Sequence, residues 1–545
     1  MMRALTALIL AATAPLLAQS APQSNSGSGS YSISGIVVNA ITGSPLDRAE
    51  VTLSTPGENG ADLAEALTNE NGAFRFERLT AGKYTLQASR RGYLSADYQE
   101  HDGGYSTAIV TGPNLASQNL RFEITPYSAI SGTITDDNGN PVAEAQVTLF
   151  RQDQVNGETK IQQTDHDTAD DAGGYEFTRL KPGTYFVDVS ATPWYAYRPG
   201  RTSDTGSTDQ PPSPLDVAYP LTFYPNASDS SGATPLTLNA GDRVQANFSL
   251  HAVAAIHLQV RVPTSDPRRG VQTPMLAQDV FGSPQFLGNP ITGFNHNQSS
   301  ITFDYGSVAP GRYMLQQGAQ DVAVDANVSR VLDAPTAATA APGVTVSGKF
   351  AMASGAPLPD VVEAWLHPTD GKSGRRLSAR LNRDGTFIFE NIVAGTYEVY
   401  LTGSSNTLVV VQMAASGAEV HGNHITVGSD SVLLAATLAS GSTNINGFAM
   451  RGGKGLGGLL VLLVPNDPNA SQDLVRLDQS DSDGSFLLQQ VVPGSYTVIA
   501  IENGWGLEWS RSSVIARYRA HGLKVQVAEN QRTLDLPTPV EVQPR

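Results

Sequence analysis

The residues of this chain best suited to recognition chemistry are aromatic. Trp194, Tyr195 and Tyr197 fall in one short stretch beside Arg198, and Tyr219, Phe223 and Tyr224 follow a Pro/Ser/Asp-rich loop. Trp505 and Trp509 form a second group far downstream. A flat aromatic face can stack on the C–H face of a sugar ring, and Arg198, Arg201 and Asp204 would supply hydrogen bonds to its hydroxyls. The same rings could instead fold back and cap a core, where a large aromatic buries about 150–250 Å². The candidate ligand-binding set is therefore Trp194, Tyr195, Tyr197, Arg198, Tyr219, Tyr224, Trp505 and Trp509, with packing as the competing role.

Other constellations carry less. None of the nine histidines is followed by Glu in an HxxE pair, and neither HExxH nor a GxSxG elbow occurs. His421-Gly422-Asn423-His424 supplies two imidazoles, but two histidines do not close a metal site, and Glu419 would have to reach them as a third ligand. Asp478, Asp481 and Asp483 precede Gly484, and Asp165, Asp167, Asp170 and Asp171 precede Gly173. Calcium needs six to eight oxygens, whereas Asp also favours turns simply by bonding its own backbone. Gly343 to Lys349 fits the opening of a phosphate-binding loop, yet Phe350 stands where a metal-holding Ser or Thr belongs and the segment opens a strand. The residues thus predict no catalytic group, no metal and no cofactor.

The elements that must position these residues are repeated. Asn71-Gly72-Ala73-Phe74-Arg75-Phe76 is followed by Leu79, Gly82 and Tyr84. The pattern returns as Gly173-Gly174-Tyr175-Glu176-Phe177 with Leu180, Gly183 and Tyr185, then as Asp384-Gly385-Thr386-Phe387-Ile388-Phe389 with Ile392, Gly395 and Tyr397. It returns again as Asp483-Gly484-Ser485-Phe486-Leu487-Leu488 with Val491, Gly494 and Tyr496. A worn copy keeps Phe303, Tyr305, Val308, Gly311 and Tyr313 but has Ile301 in place of the turn glycine. A glycine after Asn or Asp supplies the positive φ of a tight turn, and the alternation after it is the period of a half-buried strand. Upstream lies a second shared block: Ile33-Ser34-Gly35 with Gly43, Pro45 and Leu46; Ile130-Ser131-Gly132 with Gly139, Pro141 and Val142; Val346-Ser347-Gly348 with Gly355, Pro357 and Leu358. Each unit reads as strand, turn, strand, excursion, hairpin, closing strand. The expected fold is all-β, a tandem array of about five small antiparallel β-sandwich domains.

These two blocks, most completely Ile33 to Leu53 followed by Asn71 to Leu86, resemble the carboxypeptidase regulatory-like domain. That family is a transthyretin-like (prealbumin-like) sandwich, related to collagen-adhesin B-type repeats and to the carbohydrate-binding-like, starch-binding-like fold. The resemblance implies an accessory domain without its enzyme, and it adds carbohydrate to the ligand classes suggested by the aromatics. The C-terminal Val542-Gln543-Pro544-Arg545 lacks the ending of the transthyretin-like hydroxyisourate hydrolases. Collagen-adhesin relatives often join a first-strand Lys to a last-strand Asn with the help of a buried Glu. Lys349 matches the first position here, but Leu401 stands where that Glu is expected, so no such bond is predicted.

Composition bounds the remainder. With 545 residues, five units of about 100 residues have the size of ordinary domains. The boundaries expected are 1–20 for a signal peptide, 21–30 for a flexible leader, then units at 31–125, 126–250, 251–343 (degenerate), 344–439 and 440–545. Arg3, the apolar stretch from Ala4 to Leu17 and the small residues Ala18 and Ser20 carry the export signal. The chain has no cysteine and hence no disulfide. Gly 52 and Pro 33 with 16% charged residues suit turn-rich β structure. A net charge of −16 disfavours nucleic acid and anionic lipid. No later stretch is long enough to span a bilayer. The sequence predicts an exported, extracellular, periplasmic or surface-associated, non-catalytic binding protein. Its expected partner is a polysaccharide or glycan; the alternative is a spacer or adhesion array that binds an envelope or extracellular protein.

Overall fold

The computed structural model describes residues 29–57, 60–101, 104–196, 214–263, 272–288, 290–295, 300–317, 320–333, 344–359, 362–369, 376–403, 408–467 and 469–545. The export signal and most of the leader lie outside these residues, as do Tyr197, Arg198, Arg201 and Asp204.

The chain forms small β-sandwiches in tandem. In the first unit, Tyr31–Asn39 lies between Ala73–Leu79 and Leu120–Ile124. The facing sheet runs Asp62–Leu67, Glu50–Ser54, Gly82–Ser89 and Ala96–Asp97. Ile33, Val37, Val51, Phe74, Phe76, Tyr84, Leu86 and Phe122 fill the space between. Phe74 and Phe76 are 4% and 5% exposed while Arg75 is exposed, as the period-2 reading requires. The second and fourth units repeat this arrangement around their own cores. The worn third unit is also a two-sheet sandwich. Ile291–Asn295, Ser300–Val308, Ile256–Pro263 and Arg330–Asp333 face Ser283–Phe286, Met275–Val280, Gly311–Gln317 and Gln320–Ala326. Loss of the turn glycine did not cost it the fold, because Leu258, Val260, Phe303, Tyr313 and Leu315 still meet in one core.

One pairing departs from a purely antiparallel sandwich. In each unit the last strand lies parallel to the first: Leu120–Ile124 beside Tyr31–Asn39, Arg330–Asp333 beside Ile256–Pro263, Val432–Ser440 beside Val344–Met352. The second unit does the same with Arg243–Gln245 and the fifth with Thr533–Asp535. Parallel first and last strands bring the chain in at one end of the unit and out at the other, which suits a tandem array. In the fifth unit Val540–Gln543 pairs with strands of both sheets, so nine strands join into one sheet. The fifth unit also carries the helix Ser512–Arg519, whose Ile515 and Tyr518 pack on the outer face of Leu460–Pro465 and Gly494–Ile501.

Two recurrent residues explain why the signature recurs. Gly72, Gly173, Gly385 and Gly484 have φ of 69°, 73°, 84° and 84°, and their carbonyls accept the amides of Val37, Ile134, Phe350 and Ala449 on the first strand. The turn is thereby clamped edge-on to the first strand, with no room for a Cβ. The tyrosine that opens each hairpin's second strand donates its hydroxyl to the carbonyl four residues back: Tyr84 to Thr80, Tyr185 to Lys181, Tyr313 to Ala309, Tyr397 to Val393 and Tyr496 to Val492. Each tyrosine therefore ties the turn that precedes its own strand while its ring fills the core.

Candidate functional site

The predicted aromatics separate into three environments. Trp194 follows the strand Gly183–Ser190 and is 85% exposed. Its ring meets Tyr195 edge-on, centroids 5.6 Å apart and planes at 86°. Tyr195 leads inward to Tyr219, which is 8% exposed and whose hydroxyl is pushed up to about 12 by burial and then by the neighbouring Tyr195. Tyr219 is thus a core residue of the second unit, and the half-buried Tyr224 packs against that core, edge-on to Phe248 at 5.9 Å. As a candidate ligand contact Tyr219 is corrected, because burial leaves its face to the protein. Tyr219 neighbours Tyr195 in the stretch from which Trp194 projects.

Trp505 and Trp509 occupy a third environment, a junction between units. Trp505 sits on a short turn, Gly504–Gly506, with its indole N–H donating to Gly458 O at 3.2 Å. Its ring stacks on His101 of the first unit and tilts against Tyr105, with centroids 4.9 and 5.1 Å apart. His101 Nδ1 lies 2.8 Å from Gln479 Oε1, and the Gln479 amide donates to Gln99 O and Thr107 Oγ1. Trp509 lies on the hairpin tip of the second unit. A Cβ on Gly157 would come within 2.5 Å of the indole, and Ser510 Oγ donates to Gly157 O at 2.7 Å. Thr159 Oγ1 donates to Glu508 beside it. Lys181 and Glu100 join the second unit to the first at 3.0 Å. The fifth unit therefore docks on the first and second, and the two tryptophans are the aromatic anchors of that contact.

Docking leaves a cleft of about 330 Å³ between the second and fifth units. One wall is the hairpin edge from Arg151 to Gly157 with Lys181; the other is Leu460, Leu477, Trp505 and Trp509. Sequence reasoning found the tryptophans and missed Arg151, Gln154 and His101. Asn156-Gly157 is a hairpin signal, but no local pattern pairs it with Ser510, 353 positions beyond Gly157, or with the tryptophan beside it.

The acidic turns have structural employment. Asp481 takes Lys83 at 2.5 Å and the amide of Ala108, docking the turn on the first unit. Asp478 accepts the Leu487 amide at 2.6 Å, and its carboxyl is pushed up to about 6, chiefly by burial. Asp170 accepts the amides of Ala172 and Gly174, and Asp167 that of Glu176. His421 and His424 face one another across a hairpin whose tip residue, Asn423, is buried and donates to Asp473 of the fifth unit at 3.1 Å. Among the described residues no group of three or more His, Asp or Glu is placed to hold a metal ion. Nor is any helix there long and apolar enough to cross a membrane.

Comparison with known proteins bears on the first two units. The carboxypeptidase regulatory-like domain family matches residues 32–111 and 129–251. Among solved structures, the minor pilin of Streptococcus agalactiae is 14% identical, with 41% of this chain and 97% of that one covered and a TM-score of 0.21. The shaft pilin SpaA of Lactobacillus rhamnosus GG is 9% identical over the same shares, TM-score 0.20. The Bacillus anthracis TIE protein is 9% identical over 74% of this chain and 72% of its own, TM-score 0.17. Scores of this size support no statement about function. The repeated turn, the tyrosine tie and the family match converge on one conclusion for the first two units: residues 32–111 and 129–251 match the carboxypeptidase regulatory-like domain.

Proposed function

We propose that the protein is an exported, non-catalytic binding array, acting outside the cell or at the envelope, and that its ligand class is carbohydrate. The observation that carries this reading is Trp194. A tryptophan 85% exposed, beside a half-buried Tyr195, is costly to leave in water unless its face is used. Tyr195 edge-on beside it holds the indole upright. Such a platform binds by stacking, which tolerates many sugars and makes each contact weak, so several domains on one chain would raise the overall affinity.

The test is a polysaccharide and glycan panel on residues 21–545, with Trp194→Ala alongside. Retention of the wild type on at least one glycan, with loss in the variant, supports the reading. Equal retention of both proteins, or none of either, removes Trp194 as a sugar platform.

A second reading is favoured by one edge. Asp62–Leu67 borders its sheet with five of six residues exposed, Leu63 and Leu67 at 45% and 70%. An extended segment of another protein could add there as a further strand. Capture of a protein ligand that Leu67→Pro abolishes, with no glycan bound, would favour this adhesion reading.

A further inference from the structure

We propose that the outer face of the fourth unit is a self-association surface, on which two copies of this chain pack sheet against sheet. The proposal makes no use of carbohydrate or of Trp194.

The other units serve as controls. In the fourth unit one row of outward residues crosses the sheet built on the first strand. It runs Ile388, Ser347, Leu433, across Thr386–Ile392, Val344–Met352 and Val432–Ser440. The same row carries Arg75 in the first unit, Glu176 in the second, Asp304 in the third and Asp535 in the fifth. Only the fourth unit leaves it uncharged, and there Ile388 and Leu433 are 60% and 63% exposed.

Elsewhere the chain covers its apolar outer faces. Phe150, Phe186 and Phe223 of the second unit meet Val280 and Phe281 of the third. Leu460, Leu462 and Ile499 of the fifth unit meet Ile515 and Tyr518 of its helix. The outward strip of Val432–Ser440 follows the same rule at one end, where Ala439 packs against the fifth unit's core. Its other end, at Leu433, is bare in a single copy. A bare apolar stretch continuous with a packed one marks a contact surface.

The face complements itself, which points to a second copy as its occupant. A two-fold axis laid along the row sets Ile388 on Ile388 and Leu433 on Leu433, the self-matching arrangement of an isologous contact. The same rotation brings what lies one row above opposite what lies one row below. Above is Lys349, paired with Thr386; below, two residues beyond Ile388 on the antiparallel neighbour, is Glu390. Both are exposed. Each Lys349 then comes within about one strand spacing, about 4.8 Å sideways, of Glu390 on the other copy, a span its side chain covers. Within one copy Lys349 acts on Asp384 at longer range. Neither Lys349 nor Glu390 makes a close ion pair among the described residues.

One sheet face makes a small interface, below about 1,200 Å² in total, so the dimer should be weak, with a Kd on the order of 100 µM. The experiment is sedimentation equilibrium of the full chain from about 5 to 500 µM, with melting midpoints recorded alongside. The expected result is a mass that rises from monomer toward dimer. Leu433→Lys and Lys349→Glu should each raise Kd about tenfold or more, and the double reversal Lys349→Glu with Glu390→Lys should restore it. Ile388→Lys replaces Leu433→Lys if the latter fails to fold. A monomer at every concentration overturns the proposal, as does a dimer that Leu433→Lys leaves intact. A dimer lost in Leu433→Lys but indifferent to charge reversal overturns the two-fold packing. A chain that stays monomeric yet holds a glycan or an envelope protein that Leu433→Lys releases also overturns it, by placing another occupant on the face.

Discussion

The indole of Trp505 lies almost flat on the imidazole of His101, ring centroids 4.9 Å apart and planes 11° from parallel. The two residues belong to the last and first units of the array. Around them Gln479, Asp481 and Ser482 of the fifth unit bond to His101, Thr107, Ala108 and Val110 of the first. The contact closes the array on itself, which a chain of independent spacer domains would not require.

His101→Ala should weaken that closure. It removes a stacked pair and the bond to Gln479, together about 1–2 kcal/mol. The expected outcome is faster hydrogen exchange at Ala108 and Val110, with the core amides of the first unit unchanged. Equal exchange in both proteins would show that the stack contributes nothing to docking.

The turn glycines should differ sharply from one another. Gly385 has φ of 84°, and a Cβ there would lie 2.1 Å from Phe350 O; Gly355 has φ of 71° and open space around it. Gly355→Ala is expected to cost about 1–2 kcal/mol from the left-handed conformation alone. Gly385→Ala must also displace the first strand, so its urea midpoint should fall clearly further. Equal midpoints would mean that the clamp on Phe350 is not a fixed part of the unit.

The tyrosine tie can be tested at Tyr397, where Tyr397→Phe keeps the ring and deletes the hydroxyl that bonds Val393 O at 2.8 Å. The expected loss is about 1 kcal/mol. Exchange of the amides following Gly395 should accelerate, while the other four units keep their protection.

Asp188 predicts a pH dependence. It is fully buried between its ladder partners Thr148 and Phe223, and burial pushes its carboxyl up to about 7 from 3.8, against the smaller lowering effect of Thr148. The folded state therefore keeps a proton that the unfolded chain releases from about pH 4 upward. Stability should be highest below that pH, fall as pH rises toward 7, and level off above. Asp188→Asn should be more stable than the wild type at pH 8, by a few kcal/mol at most, and should flatten the profile. A variant less stable at pH 8 would show that the ionised carboxylate is held by a favourable partner.

Much of the fold is legible in the amino-acid order because its determinants are local. A glycine after Asn or Asp sets a turn, Phe74 and Phe76 set a buried face by alternation, and Tyr84 reaches only four residues back. Such relations recur intact in each copy, so the repeat reveals an array of β-sandwiches. Other features depend on distance in space. Arg78, Arg179, Asn391 and Gln490 take φ of 55–60° where the strand slips register against its partner, a position that no residue type marks. Trp194, Tyr219 and Trp505 are alike as sequence signals. Tertiary packing alone made the first an exposed platform, the second core and the third an anchor between units, because exposure depends on what the rest of the chain lays over a ring. The cleft is the extreme case: its two walls meet only because Trp509 is brought against Gly157, and no local rule of spacing encodes that approach.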